Sequence, residues 1–179
     1  MNRSWVCIDS NAVTYLGEAM AAGTCPVGAL AAEKISLLRT YLYRDEILHM
    51  SHAVEAEYLK IRDAAWRKHH VNLGNALLGD TLKPDMQELE SRTQEYSQLH
   101  KGDRNRNDCQ IVAEAELGGC DCLLTYDQTL LANLAGRTHG IRLLTPMAFW
   151  SSLSIPHGSR PVRLPHPKSP LSKETWWIW

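Results

Sequence analysis

Short apolar runs alternate along this chain with longer segments of helical spacing, and this alternation restricts the fold more than any other feature. The candidate strands are residues 5–8, 47–50, 120–125 and 141–144. In the helical segment 28–43, apolar residues recur at steps of three and four. Strands joined by helical crossovers pair in parallel. The sequence therefore predicts an α/β fold, a three-layer α/β/α sandwich with a mostly parallel central sheet.

The remaining helices are predicted from periodicity and capping residues. They cover residues 12–22, 52–69, 84–99, a segment from Asn107 or Asp108 to about 117, 127–135 and a short stretch after Pro146. Segment 72–84 contains two glycines and is predicted to be irregular. Helix 84–99 has few apolar positions, so we expect it to lie at the periphery.

The chain is long enough for one domain, with 179 residues of which 44% are hydrophobic. Its character changes near residue 155, since five of the eight prolines lie within 156–170. We therefore predict a folded domain over residues 1–154 and a proline-rich basic tail over residues 155–179. The tail ends in Trp176-Trp177-Ile178-Trp179. These side chains are expected to pack on the chain's own domain or a second subunit, with RNA bases or a disordered tail as alternatives.

Charge and cysteine content restrict the cellular setting. The formal net charge is −1, so nucleic-acid binding would require a local basic patch. Five cysteines without a secretory pattern favour free thiols in a reducing compartment, so we predict a cytoplasmic protein. No apolar run reaches the ~20 residues of a membrane span.

Four acidic residues stand where an open α/β sheet collects its functional groups. Asp9 follows the first strand and Asp127 lies just past the third, while Asp108 opens a helix. Glu57 lies about two turns into the helix after the second strand. Sites in such sheets form beyond the carboxyl ends of the strands, so we expect these side chains to converge. Converged carboxylates repel one another unless a divalent cation joins them, and Mg²⁺ prefers oxygen ligands. The pattern therefore predicts metal-assisted phosphodiester chemistry.

Each acid also has an ordinary structural interpretation. Asp9 and Asp127 are suitable helix N-caps, and Asp108 suits the first turn of a helix because of the helix dipole. Glu57 taken alone resembles an exposed helical residue. The joint order of the four acids favours the functional interpretation over four separate structural ones.

Four segments of the sequence resemble the PIN-domain family, and within it the VapC-like toxins. Residues 6–11 (VCIDSN) are similar to the family's opening strand, and residues 50–57 (MSHAVEAE) to its strand–Ser–helix segment, which selects Glu57 over Glu55. Residues 107–115 (NDCQIVAEA) and 122–127 (CLLTYD) resemble its Asn-Asp helix and the following strand with Thr-x-Asp. The resemblance covers about residues 4–150.

The resemblance implies a Mg²⁺- or Mn²⁺-dependent endoribonuclease. Its catalytic and metal-binding residues would be Asp9, Glu57, Asp108 and Asp127, and its supporting residues Asn11 and Thr125. An RNA substrate, a homodimer and a small antitoxin protein are the implied partners. The long segment between Glu57 and Asp108 and the tail beyond about residue 155 depart from the compact family pattern.

A basic loop precedes Asp108. Arg104 and Arg106 in this loop are the candidate RNA-binding residues, because phosphates must be drawn to a negative centre. The alternative is a solvated polar loop without a binding role.

Three other functions compete with the nuclease interpretation. A catalytically silent PIN-like module for RNA binding or assembly would be favoured by loss of a site acid, but all four acids are present. A phosphatase of the haloacid-dehalogenase type needs a second Asp two residues after the first, where this chain has Asn11. A Rossmann dehydrogenase is disfavoured because no G-x-G-x-x-G follows the first strand.

Overall fold

The computed structural model describes residues 5–45, 48–81, 83–101 and 105–179. Within them, five strands form a single sheet in which every pairing is parallel, with the order β3-β2-β1-β4-β5. The strands are β1 Val6–Ile8, β2 Leu48–Met50, β3 Gly79–Asp80, β4 Cys122–Leu124 and β5 Arg142–Leu144. The predicted parallel sheet is confirmed.

Helices flank this sheet, and eight are formed by the described residues. They are α1 Ser10–Ala22, α2 Ala31–Tyr43, α3 His52–Leu59, α4 Ala64–Leu77, α5 Met86–Leu99, α6 Arg106–Leu117, α7 Gln128–Leu134 and α8 Pro146–Ser152. All residues of β1 and β4 are buried. Strands covered on both faces are typical of the parallel sheet of an α/β protein, so the predicted three-layer α/β/α sandwich is also confirmed.

Three helices that follow strands of the sheet are capped at their N-termini by polar side chains. Asp9 caps α1 by accepting a hydrogen bond from the backbone N–H of Ala12, and Ser51 caps α3 in the same way through Val54. Asp127 caps α7. Such caps satisfy backbone donors that have no partner inside the helix. They also fix polar side chains at the carboxyl edge of the sheet.

The structure corrects two predicted elements. The single helix predicted over residues 52–69 is two helices, because Asp63 accepts a hydrogen bond of 2.7 Å from Trp66 N and starts α4 anew. The segment predicted to be irregular over 72–84 contains the end of α4 and the edge strand β3. In addition, α1 begins at Ser10, before its predicted start at residue 12, and α2 begins at Ala31, after its predicted start at residue 28. Small differences are usual at helix ends.

The C-terminal tail packs on the chain's own domain. Trp177 and Leu171 are buried, and a short 3₁₀ helix within the tail, Pro170–Lys173, packs against α1. Arg39 of α2 donates hydrogen bonds to the carbonyls of Trp177 at 3.1 Å and Ile178 at 2.9 Å. The tail tryptophans therefore lie on their own domain rather than being disordered. The boundary between residues 154 and 155 stays a prediction.

Helices able to cross a membrane are not found in the part of the chain that the structure describes, since none there combines sufficient length with sufficient hydrophobicity.

Candidate functional site

Three of the four predicted acids line one depression at the carboxyl ends of β1 and β4. Its walls are formed by Asp9, Ser10, Asn11, Asp108, Ile111, Thr125, Asp127 and Leu130. Asp9 is the N-cap of α1 directly after β1, Asp108 lies in the first turn of α6, and Asp127 is the N-cap of α7. Asp9 and Asp127, which are far apart in sequence, thus meet because β1 and β4 are neighbours in the sheet, and Asp108 joins them from the helix that precedes β4.

Asp9 is the most deeply buried of these acids, with 7% of its surface exposed. Its Oδ1 accepts a hydrogen bond of 2.7 Å from Ala12 N, and its Oδ2 accepts one of 2.5 Å from the Thr125 hydroxyl. Burial raises the pKa of Asp9 to about 6, and the charge of Asp108 adds to the increase, while the hydrogen bonds act against it. A buried carboxylate that resists ionisation gains from a nearby cation.

Asp108 is half-buried and lies among the other acids. Its pKa is raised first by burial, then by the negative charges of Asp127 and Glu57, while His100 acts in the opposite direction. Asp108 therefore lies within reach of the negative charges of two other acids.

Thr125 links two of the acids through one hydroxyl. It donates to Asp9, as described above, and accepts a hydrogen bond of 3.0 Å from the backbone N–H of Asp127. Both capping bonds of Asp127, from Thr129 N at 2.7 Å and Leu130 N at 2.9 Å, go to Oδ1. The second carboxylate oxygen of Asp127, Oδ2, takes no part in these capping bonds. Asn11 is exposed at the rim of the depression.

Glu57 lies beside the depression rather than in its wall. It is half-buried on α3, and its Oε1 accepts a hydrogen bond from the Asn107 side-chain amide. Since Asn107 precedes Asp108, this contact joins α3 to the start of α6. Its charge is close enough to raise the pKa of Asp108.

Two residues of this region were not singled out from the sequence. His100, at the end of α5, is 1% exposed, and one of its ring nitrogens lies within 4.8 Å of carboxylate oxygens of Asp108 and Asp127. Glu114 is 4% exposed, and its Oε2 accepts a hydrogen bond of 2.7 Å from Ala53 N. Glu114 thereby fixes α6, which carries Asp108, to the first turn of α3, which carries Glu57. An acid on the otherwise apolar face of α6 was the signal available for Glu114.

The structure describes only one of the two predicted RNA-binding residues. Arg104 lies outside the described residues. Arg106 is 54% exposed and forms a two-oxygen ion pair with Glu90 of α5, at 2.6 and 2.7 Å. Exposed pairs of this kind contribute about 0–1 kcal/mol. The ion pair with Glu90 therefore holds the Arg106 side chain only weakly.

The donor set fits a divalent cation. Carboxylate oxygens of Asp108 and Asp127 lie within 4.8 Å of each other, and hard cations bind oxygen at 2.0–2.6 Å, so that one ion can touch both. The raised pKa values of Asp9 and Asp108 result from burial and mutual repulsion. Positive charge placed among them relieves that repulsion.

We expect the stability of the metal-free protein to fall as pH rises from about 4 to about 6. The pKa of Asp9 is about 6 in the folded protein, against 3.8 for an ordinary Asp carboxyl. The folded state thus binds the proton more tightly than the unfolded state, and stability is lost as pH rises through this window. A pKa difference of about two units between the folded and unfolded states corresponds to about 3 kcal/mol of unfolding free energy.

Chemical unfolding in EDTA at several pH values, for the wild-type protein and Asp9→Asn, measures this contribution. The difference in unfolding free energy between the two proteins should change by about 3 kcal/mol across the window, to the disadvantage of the wild type at higher pH. A difference that is constant with pH would contradict the raised pKa of Asp9.

Comparisons with known proteins identify the fold. No protein-family model matches the chain, and no curated protein matches it. Among solved structures, it is similar to a chain in the 2.2 Å structure of VapBC-1 from nontypeable Haemophilus influenzae, with a TM-score of 0.52 and 17% identity. The match covers 82% of this chain and 98% of that chain. The chain therefore shares the α/β fold of that protein, which is consistent with a PIN-like domain.

Proposed function

We propose that this protein is a divalent-metal-dependent endoribonuclease of the PIN type. The observation that carries the proposal is the meeting of Asp9, Asp108 and Asp127 in one depression, with Glu57 close enough to act on Asp108. Carboxylates gathered at the carboxyl edge of a parallel sheet suit metal-assisted phosphodiester hydrolysis better than they suit stability, because they repel one another.

Each of the four acids has a proposed role at the metal. Asp108 and Asp127 are ligands, and Asp9 is a third acid whose orientation is held by Thr125. Glu57 orients the attacking water from the α3 side, and Asn11 supports the site from the rim. Bound Mg²⁺ or Mn²⁺ would supply a water of lowered pKa and charge stabilisation for the leaving oxygen.

RNA would approach over the start of α6. Arg106 is exposed there and, together with Arg104, would neutralise phosphates that the acids repel. The small net charge of −1 makes this local patch the required source of attraction.

The proposed biological setting is that of a toxin with a small antitoxin protein. The solved structure of similar fold is named VapBC-1, and the sequence motifs resemble VapC-like toxins. A homodimer is the proposed assembly, and the cytoplasm the proposed compartment, in keeping with five free cysteines.

The proposal is tested by incubating purified protein with a mixed single-stranded RNA pool in Mn²⁺, in Mg²⁺ and in EDTA, and by analysing the product ends. Hydrolysis by a metal-activated water leaves linear phosphate monoesters, whereas attack by the RNA 2′-hydroxyl leaves 2′,3′-cyclic phosphates. We expect metal-dependent cleavage with linear ends. RNA that is bound but not cut in any metal would favour the catalytically silent PIN-like module instead.

A further inference from the structure

His100 presents a buried nitrogen without a hydrogen-bond partner. The side chain is 1% exposed, and its Nδ1 lies 2.9 Å from the side-chain amide nitrogen of Asn133 on α7. Its Nε2 is buried and has no hydrogen-bond partner among the described residues. Buried polar atoms are almost always paired, so an unpaired one requires an explanation.

The position of His100 supplies that explanation. A ring nitrogen of His100 and one carboxylate oxygen from each of Asp108 and Asp127 all lie within 4.8 Å of one another. Because Nδ1 is engaged by Asn133, Nε2 is the nitrogen available to a ligand. Metal–nitrogen bonds are about 2 Å long and metal–oxygen bonds about 2.0–2.6 Å. Two ligand atoms of one ion are therefore up to about 4–5 Å apart, so these three atoms are close enough to share a cation.

We propose that His100, Asp108 and Asp127 form a mixed nitrogen–oxygen metal site. The inference deepens the proposed nuclease function and rests on it for the role of the two carboxylates. An imidazole ligand favours transition metals over Mg²⁺, and affinity rises along the series from Mn²⁺ to Co²⁺ and Ni²⁺. The site should thus discriminate among divalent ions through His100.

Asn133 is the positioning residue for this ligand. A histidine that binds metal through Nε2 carries its hydrogen on Nδ1 and donates it to an outer partner. The side-chain amide of Asn133 lies against Nδ1, with its nitrogen 2.9 Å away. With its oxygen turned toward Nδ1, the amide accepts the Nδ1 hydrogen, and the Nε2 lone pair is left for the metal.

Two measurements on the full-length protein test the inference. Calorimetric titration with Co²⁺ and with Mg²⁺ compares the wild-type protein, His100→Gln and the control His139→Gln, whose side chain is half-exposed and pairs with Glu95. We expect His100→Gln to weaken Co²⁺ binding at least about 10-fold and Mg²⁺ binding far less. The control should bind both ions like the wild type. Equal losses for both ions would indicate a merely structural role and overturn the inference.

Pulsed electron paramagnetic resonance of Mn²⁺ bound to the wild-type protein needs no variant of His100. We expect nitrogen modulation from a directly bound imidazole, absent in Asp127→Asn, in which the shared site is lost. Bound Mn²⁺ without nitrogen coupling, or no Mn²⁺ binding at millimolar concentration, would refute the inference.

RNA cleavage measured on the same samples separates the two hypotheses. Metal-dependent cleavage without nitrogen coupling would support the nuclease function and contradict the role of His100 as a metal ligand. Nitrogen-coupled Mn²⁺ in a protein that cuts no RNA would support His100 as a metal ligand and contradict the nuclease function.

Discussion

Asp108→Asn is expected to lower metal-dependent RNA cleavage at least about 100-fold while leaving the metal-free fold intact. Residues that only support a metal ligand typically contribute 10–100-fold, so loss of a ligand itself should reach or exceed the upper value. Asp108 is chosen because its substitution leaves the helix caps intact, whereas Asp9 and Asp127 are themselves helix caps. The substitution removes a carboxylate whose pKa is raised by burial and by its acidic neighbours. The melting temperature in EDTA should therefore stay constant or rise.

Glu88→Gln is the matched control for this substitution. Glu88 is also an acid in the first turn of a helix, but it is exposed on α5. Initial cleavage rates of the three proteins at equal folded concentration provide the comparison. Similar cleavage rates for Asp108→Asn and the wild-type protein would contradict the assignment of Asp108 to the catalytic site.

Trp177→Ala is expected to lower the free energy of unfolding by about 3–5 kcal/mol, the usual cost of deleting a buried tryptophan side chain. Trp177 is 5% exposed, and its Nε1 donates a hydrogen bond of 3.1 Å to the Leu171 carbonyl. The substitution would leave a cavity and would remove one of the two donors to the Leu171 carbonyl, which keeps its hydrogen bond of 3.1 Å from the backbone N–H of Glu174. Chemical unfolding followed by circular dichroism measures the loss.

The neighbouring Ile178 provides the control, since 48% of its surface is exposed. Ile178→Ala should cost less than about 1 kcal/mol, because little apolar surface is lost from the core. If Trp177→Ala lowered the free energy of unfolding as little as Ile178→Ala, Trp177 would not contribute to the stability of the domain. Cleavage at a temperature at which Trp177→Ala remains folded should be unchanged, because the tail lies apart from the acids.

The sheet and the positions of two acids could be predicted because they depend on local patterns. Short apolar runs mark β1 and β4, and the polar residues that follow them, Asp9 and Asp127, are suitable caps. The two-residue strand β3 has no side-chain pattern of its own, and it is defined by its backbone pairing with β2, next to a hydrogen bond from Thr81 N to Met50 O. The break before α4 was missed because apolar spacing continues across it, although Asp63 is a good cap.

The parts of the site that were not predicted depend on helix packing. His100 approaches Asp108 and Asp127 only because α5 packs against α6 and α7. The same packing brings Glu90 to Arg106, so a side chain predicted to meet RNA has a protein partner. A single sequence carries no local signal for either contact, because both depend on how α5 packs against its neighbouring helices.

The most direct test of the central claim is RNA cleavage by the wild-type protein and Asp108→Asn, run side by side in Mn²⁺ and in EDTA. The proposed metal site predicts cleavage only by the wild-type protein and only with metal. Cleavage that persists in EDTA, or that is equal in the two proteins, would contradict the assignment of the acidic cluster as a metal-dependent nuclease site.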